Sequence, residues 1–166
     1  AARVAQKMGK QGQAGELYAE GGLPFEAGHC FIEVGDTGKA IDSFVRVPRA
    51  DKRYRDACRE AIRLSMSLQS LAFQLEHFLG KVIQDGPIDA QDLETFYLLG
   101  KLYEKHDLIE NSKEVLRKII VKQPGYRDTK ARLAELENET TQGTAAAFER
   151  VLKEDESFRN SERRVP

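Results

Sequence analysis

The sequence predicts an all-α fold built from stacked antiparallel helix hairpins. Two repeats favour this fold class, one of 13 residues near the N-terminus and one of 72 residues that spans most of the chain. Glycine and proline interrupt the helical pattern, and no segment alternates apolar and polar residues as a strand does. Each two-helix unit has an apolar face that it cannot bury alone, so neighbouring units are expected to stack into a curved solenoid.

The short repeat pairs an alanine with an aromatic residue four positions later. The three pairs are Ala14 with Tyr18, Ala27 with Phe31, and Ala40 with Phe44. Thirteen residues accommodate one short helix and a turn. Residues four apart share a helix face, so a neighbouring helix can approach closely at the alanine while the ring fills the space beside it.

The longer repeat recurs at an offset of 72 residues. Gly28, Phe31, Phe44, Val47 and Tyr54-Arg55-Asp56 return as Gly100, Tyr103, Leu116, Ile119 and Tyr126-Arg127-Asp128. This offset is about two units of the 34-residue period of helix-turn-helix repeats plus a few inserted residues. We expect the insertion at Gln84-Asp85-Gly86-Pro87.

Helices are expected along the whole repeat region, separated by turns rich in glycine, proline or polar residues. The predicted breaks lie at residues 21–24, 35–38, 47–52, 85–87, 106–107 and 123–125. Between Tyr54 and Ile83 the pattern allows either one long helix or two helices that are separated by a weak turn at residues 67–70.

The chain is predicted to contain one helical repeat domain, residues 1–139, of about three units with flanking helices. In the remainder, residues 140–166, polar Thr140 to Thr144 suggests a linker and Ala145 to Leu152 a short helix. The charged residues that follow, up to Pro166, are expected to be disordered.

The segment FYLLGKLYEKHDLIENSKEVLRKIIVKQP, residues 96–124, resembles the tetratricopeptide repeat. The matching positions are Phe96, Leu99, Gly100, Tyr103, Ser112, Leu116 and Pro124. Residues 21–54 fit the same frame less completely, and residues 55–84 form a degenerate unit. The resemblance covers residues 11–138 and implies a right-handed α-solenoid whose first helices line a concave, peptide-binding face.

By that frame, eight residues of two first helices face the concave surface and form the predicted partner-binding site. They are Phe25, His29, Ile32, Glu33, Tyr97, Lys101, Glu104 and Lys105. Exposed rings beside charges suit recognition, because aromatic side chains supply contact area and charges set orientation. Family members that grip a chaperone's terminal carboxylate use asparagine and lysine here, and neither helix has that asparagine.

The sequence GDTGK, residues 35–39, partly matches the sequence pattern of a phosphate-binding loop. Glu33 stands where the loop requires its first glycine, and Ala40 stands where a hydroxyl would bind magnesium. We therefore predict a turn between two helices, with Lys39 in solvent. His29 beside Cys30 is no ligand pair, since adjacent helical residues point about 100° apart. No catalytic residue, metal or cofactor is expected.

Composition excludes some classes of partner. The chain of 166 residues has 32% charged residues and a net charge of -1, unlike a nucleic-acid-binding protein with clustered positive charge. No apolar run reaches the roughly 20 residues that cross a membrane. Two cysteines, 28 residues apart, suggest reduced thiols and a cytoplasmic location.

Charge is distributed in two blocks near the C-terminal half. Residues 84–110 carry seven acidic residues, and residues 113–132 carry seven basic ones. Such blocks can be a solvated surface, steer a charged partner, or pair across units.

These observations favour a non-catalytic module that recruits or assembles a protein or peptide partner for a larger protein. The start at Ala-Ala, inside the 13-residue repeat, suggests a fragment of a longer chain. One alternative is a structural segment of a longer self-assembling or coat-like solenoid, which associates through uncapped repeat ends. Another is a regulatory appendage of an enzyme outside this fragment.

Overall fold

A computed structural model describes residues 1–84 and 88–162. Within these ranges the chain is all-helical, with nine α-helices and no strand. The helices are α1 (Ala2–Lys7), α2 (Gln11–Glu20), α3 (Pro24–Glu33), α4 (Thr37–Val45), α5 (Tyr54–Ser65), α6 (Phe73–Gln84), α7 (Leu93–Lys105), α8 (Ile109–Lys122) and α9 (Thr129–Glu162). A short 3₁₀ turn, Ala90–Asp92, precedes α7.

Most helices end at the predicted breaks, but the break between α1 and α2, residues 8–10, was not predicted. The weak turn at residues 67–70 separates α5 from α6, so the alternative of one long helix is wrong. The predicted break at residues 85–87 lies outside the described residues.

The GDTGK segment is a turn, as predicted. Helix α3 ends at Glu33, and Gly35 adopts a positive φ of 76°, a conformation that side-chain-bearing residues rarely take. Asp36 caps α4 by accepting a hydrogen bond from the backbone N–H of Lys39 at 3.0 Å. The Lys39 side chain is exposed and forms an ion pair with Glu16 at 2.5 Å.

The helices pack mostly in the order in which they follow along the chain. From α1 to α5 each helix packs on the next, α7 packs on α8, and α8 packs on α9. Helix α5 contacts α7 directly, while α6 contacts α4 and buries Leu75 and Leu79. Three-residue connections reverse the chain after α2, α3 and α7, which is typical of antiparallel helix pairs.

The 13-residue repeat is confirmed as a packing repeat. Its three alanines are fully buried, and its three aromatic residues are at most 7% exposed. The Phe31 ring of α3 packs on Gly15 of α2, where an added Cβ would lie 2.9 Å from the ring. The Phe44 ring of α4 packs on Gly28 of α3 in the same way, at 2.7 Å. Glycine at these two positions thus lets a ring lie directly on the neighbouring backbone.

The 72-residue repeat also relates core positions. Its paired apolar residues are all at most 3% exposed, namely Phe31 and Tyr103, Phe44 and Leu116, and Val47 and Ile119. Tyr54 begins α5, whereas Tyr126 lies before α9 and packs against Tyr97.

The predicted linker at residues 140–144 is wrong, because α9 continues through it to Glu162. The threonines remain compatible with a helix since each hydroxyl donates to a carbonyl oxygen four residues earlier, at 2.8 to 2.9 Å. The separate short helix at residues 145–152 is part of the same α9. The predicted disorder is likewise wrong as far as Glu162, and residues 163–166 lie outside the described chain.

Gly28→Ala is expected to destabilise the protein by about 1–3 kcal/mol, because the new methyl group overlaps the Phe44 ring. Gly12→Ala, in α2, is the matched control: an added Cβ meets nothing within 4 Å there. The control should gain about 0.5–1 kcal/mol from the lower backbone entropy of the unfolded chain. Urea denaturation followed by circular dichroism measures both. Equal stabilities of the two variants would contradict the ring-on-glycine contact.

Candidate functional site

The first group of predicted site residues forms a ring cluster on α3. The Phe25 and His29 rings meet edge to face at 4.7 Å between centroids, and both pack against buried Phe44 at 5.8 and 5.3 Å. The Arg53 guanidinium covers the Phe25 ring at 4.9 Å. Phe25 is half-buried, whereas His29 is exposed. His29 is therefore the accessible member of this cluster.

Arg53 fixes the connection between α4 and α5 to α3. Its guanidinium forms ion pairs with Glu26 at 2.6 Å and with Asp51 at 2.8 Å. Hydrogen bonds from the Arg53 side chain and backbone lower the pKa of Asp51 to about 2. The pKa of Arg53 is raised by the same two carboxylates. Arg53 thus contacts Asp51 in the α4–α5 connection, Glu26 on α3 and the Phe25 ring.

The second group, on α7, contains a cluster around Tyr97. The Tyr97 hydroxyl donates to Asp128 at 2.7 Å, and its ring meets that of Tyr126 at 6.0 Å. Arg127 covers the Tyr97 ring at 4.8 Å, and Lys101 lies at 5.9 Å from it. Tyr97 is only 7% exposed. The expectation of an exposed Tyr97 ring is wrong because residues 126–128 cover it.

The two clusters occupy equivalent places in the 72-residue repeat. Phe25 corresponds to Tyr97, and His29 corresponds to Lys101. In each unit an arginine that precedes a later helix covers the ring, Arg53 in one and Arg127 in the other. The sequence did not predict this because the arginines are two residues out of the repeat register. The repeated Tyr-Arg-Asp triplets were the only signal.

The other predicted residues differ in accessibility. Glu33 is exposed and Ile32 is half-buried against the core. Glu104 forms an ion pair with Arg132 of α9. The Lys105 ammonium donates to the carbonyl oxygens of residues 66 and 68 at 2.5 and 2.8 Å, where α5 ends. The Glu104 and Lys105 side chains thus connect α7 to neighbouring segments.

The two charge blocks pair with each other in part. Glu94 contacts Arg127 at 2.5 Å, and Glu104 of α7 contacts Arg132 of α9. Asp89 instead pairs with Arg55 at 2.6 Å. Of the alternatives that the sequence left open, pairing between helices therefore accounts for several of these charges.

A cavity that the sequence did not predict lies between the α4–α5 connection, α5, α6 and α7. We call it the α4–α5 cavity, and its volume is about 410 Å³. Its exposed lining includes Arg49, Lys52 and Arg55, and its buried lining includes Cys58, Val82 and Phe96. A cavity of this size and composition suits one or two side chains of a ligand.

No family model, curated protein or solved structure matches the chain. The tetratricopeptide resemblance therefore rests on the residues of the chain itself. Among the described residues, no group of three or more His, Cys, Asp or Glu side chains is placed to hold a metal ion. No helix in the described ranges is both long and apolar enough to cross a membrane. Cys30 and Cys58 are buried and are not joined in a disulfide, and burial raises the pKa of Cys30.

Asp51→Asn is expected to destabilise the protein at neutral pH and to have progressively less effect in acid. The folded pKa of Asp51, about 2, lies below its ordinary value of 3.8, so the carboxylate stabilises the fold above that ordinary value. This stability is lost as the pH falls through the folded pKa. Urea midpoints of the variant and the parent should therefore converge between about pH 4 and pH 2. Asp42→Asn, exposed on α4, controls for removal of a carboxylate. An unchanged difference at low pH would contradict the role of the Arg53 contact.

Proposed function

We propose that the chain is a non-catalytic protein-interaction module, an α-solenoid similar to the tetratricopeptide family, that recruits or assembles partners for a larger protein. The observation that carries this proposal is the packing of helices in chain order from α1 to α5 and from α7 to α9, with a ring-on-glycine contact between α2 and α3 and between α3 and α4. A core built from neighbour contacts grows along one direction, and each added unit extends the outer surface. Such surfaces commonly bind peptides or other proteins.

The proposed partner-binding surface centres on the accessible members of the two ring clusters. His29 and Glu33 are exposed on α3, and Lys101 is half-exposed beside Tyr97 on α7. Arg53 and Arg127 hold the Phe25 and Tyr97 rings in place. His29 contacts the first ring and Lys101 the second, so both side chains have a rigid support. A partner can therefore bind without the cost of ordering them first.

The double variant His29→Ala, Lys101→Ala is expected to weaken binding of a peptide partner about tenfold or more, a loss of about 1.4 kcal/mol. The peptide is obtained by selection from a random display library on the parent protein, and its affinity is measured by fluorescence anisotropy. Arg59→Ala, exposed on α5, is the control and should bind as the parent does. Failure of selection to enrich any peptide, or equal affinity of all three proteins, would contradict the proposed surface.

A second candidate is a segment of a self-assembling solenoid, favoured by the exposed apolar side chains at both ends of the helical array. Val4 and Met8 at α1 are 60% and 64% exposed, and Phe148 and Val151 of α9 are 65% and 61% exposed. The charges at the two ends differ. Residues 1–13 contain three basic residues and no acidic one, whereas residues 133–149 contain four glutamates and no basic residue, and Arg150 lies between Phe148 and Val151.

If this second candidate holds, the molar mass from multi-angle light scattering should rise with protein concentration and fall as salt is added. Phe148→Glu should keep the protein monomeric, because it removes the exposed ring from the contact and would bury a charge against apolar side chains. Val121→Glu, at a site that is 86% exposed on α8, is the matched control and should associate as the parent does. A monomeric parent over the whole concentration range would eliminate this candidate.

A further inference from the structure

The α4–α5 cavity combines an apolar base with a positively charged edge. Cys58, Val82 and Phe96 in its lining are 4%, 8% and 8% exposed, so a small part of each apolar side chain borders the cavity and the rest packs in the core. Thr95, 5% exposed, adds a hydroxyl to the lining. An apolar side chain of a ligand could lose its hydration there, and a hydrophobic base of this kind is typical of binding pockets.

Some of the charged side chains at the edge of the cavity are already in ion pairs. Its lining carboxylates, Asp51 and Asp92, are both held by arginines, at 2.8 Å from Arg53 and 3.2 Å from Arg55. The exposed Lys52 ammonium lies beyond ion-pair distance of the described carboxylates, although its charge helps to lower the pKa of Asp51, which Arg53 already holds. Residues 46–63 carry seven basic and three acidic residues, and carboxylates of other segments, Glu26, Asp89 and Asp92, pair with Arg53 and Arg55. The cavity thus offers a cation to a ligand whose own charge is negative.

We propose that the α4–α5 cavity binds an acidic segment of a protein partner, with a carboxylate of that segment at Lys52 and an adjacent apolar side chain on Cys58, Val82 and Phe96. This inference rests on the proposed function and names the chemical class of its partner. The site is separate from the surface around His29 and Lys101.

A short acidic peptide fits this cavity better than a nucleic acid. The lining carboxylates of Asp51 and Asp92, together with Asp89 beside Arg55, would repel successive phosphates of a polyanion. A peptide places one carboxylate and one apolar side chain within a residue of each other, which matches Lys52 beside an apolar base. The peptide backbone itself carries no charge.

The test uses a fluorescein-labelled peptide with one phenylalanine next to one aspartate in an otherwise uncharged glycine–serine sequence, and measures anisotropy against the complete chain. The parent should bind it, and Lys52→Glu should weaken binding about tenfold or more. Lys130→Glu, an exposed lysine in the first turn of α9, makes the same charge reversal away from the cavity and should change affinity less than twofold. Replacing the peptide's phenylalanine with alanine should also weaken binding, because the apolar base then remains unfilled.

Thiol protection provides a second readout that locates the peptide. Saturating peptide should slow alkylation of Cys58 by iodoacetamide at least fivefold, as measured by mass spectrometry. Cys30, which is 1% exposed and does not line the cavity, reports any general stabilisation in the same sample. Equal protection of both cysteines would place the peptide elsewhere and overturn the proposal.

The remaining outcomes separate this proposal from the proposed function. Equal affinity of the parent and Lys52→Glu, or equally tight binding of a single-stranded oligonucleotide or inorganic phosphate, would overturn the acidic-peptide site. In that case, the proposed interaction module would still be supported if display-selected peptides bind through His29 and Lys101. If neither the acidic peptide nor any selected peptide binds, both the cavity proposal and the peptide-binding function fail.

Discussion

The approach of a ring to a glycine backbone sets the geometry of the N-terminal helices. Phe31 lies on Gly15 and Phe44 lies on Gly28, each at a distance that leaves no room for a methyl group. Each ring thus belongs to the buried face of its own helix and sets the distance to the previous helix. Because the contact recurs every 13 residues, a change at one position alters the angle at which every later helix is presented.

Arginines add a second set of constraints on top of this packing. Arg53 and Arg127 each connect the segment before a helix to a ring on an earlier helix, and carboxylates hold both guanidinium groups. Exposed cation–ring contacts contribute only about 0.5–1 kcal/mol each, and surface ion pairs contribute about 0–1 kcal/mol. Their main effect is therefore to fix where the connections lie. The α4–α5 cavity exists at such a place, where a connection held by Arg53 passes over α5.

The all-α class, most helix breaks and the core positions of both repeats could be predicted from sequence, because periodicity of apolar residues and turn residues determine them locally. The continuity of α9 could not be predicted, because threonines fit either a linker or a helix. Here their hydroxyls donate to carbonyl oxygens within the helix. Burial of Tyr97 also could not be predicted, because it depends on residues 126–128, about thirty positions away. The cavity arises from three separate chain segments, residues 49–58, Val82 and residues 92–96, and no local sequence pattern indicates it.

The length of helix α9 affects which part of the fold unfolds most readily. Its 34 residues extend for about 51 Å, whereas α8, the helix that it packs on, extends for about 21 Å with 14 residues. Only its first turns bury side chains, and every described side chain from Glu137 to Val151 is exposed. Helical segments without tertiary packing are held by their own hydrogen bonds and are only marginally stable in water. The outer part of α9 should therefore exchange its amide hydrogens long before the ring-packed helices do, as a separate cooperative unit.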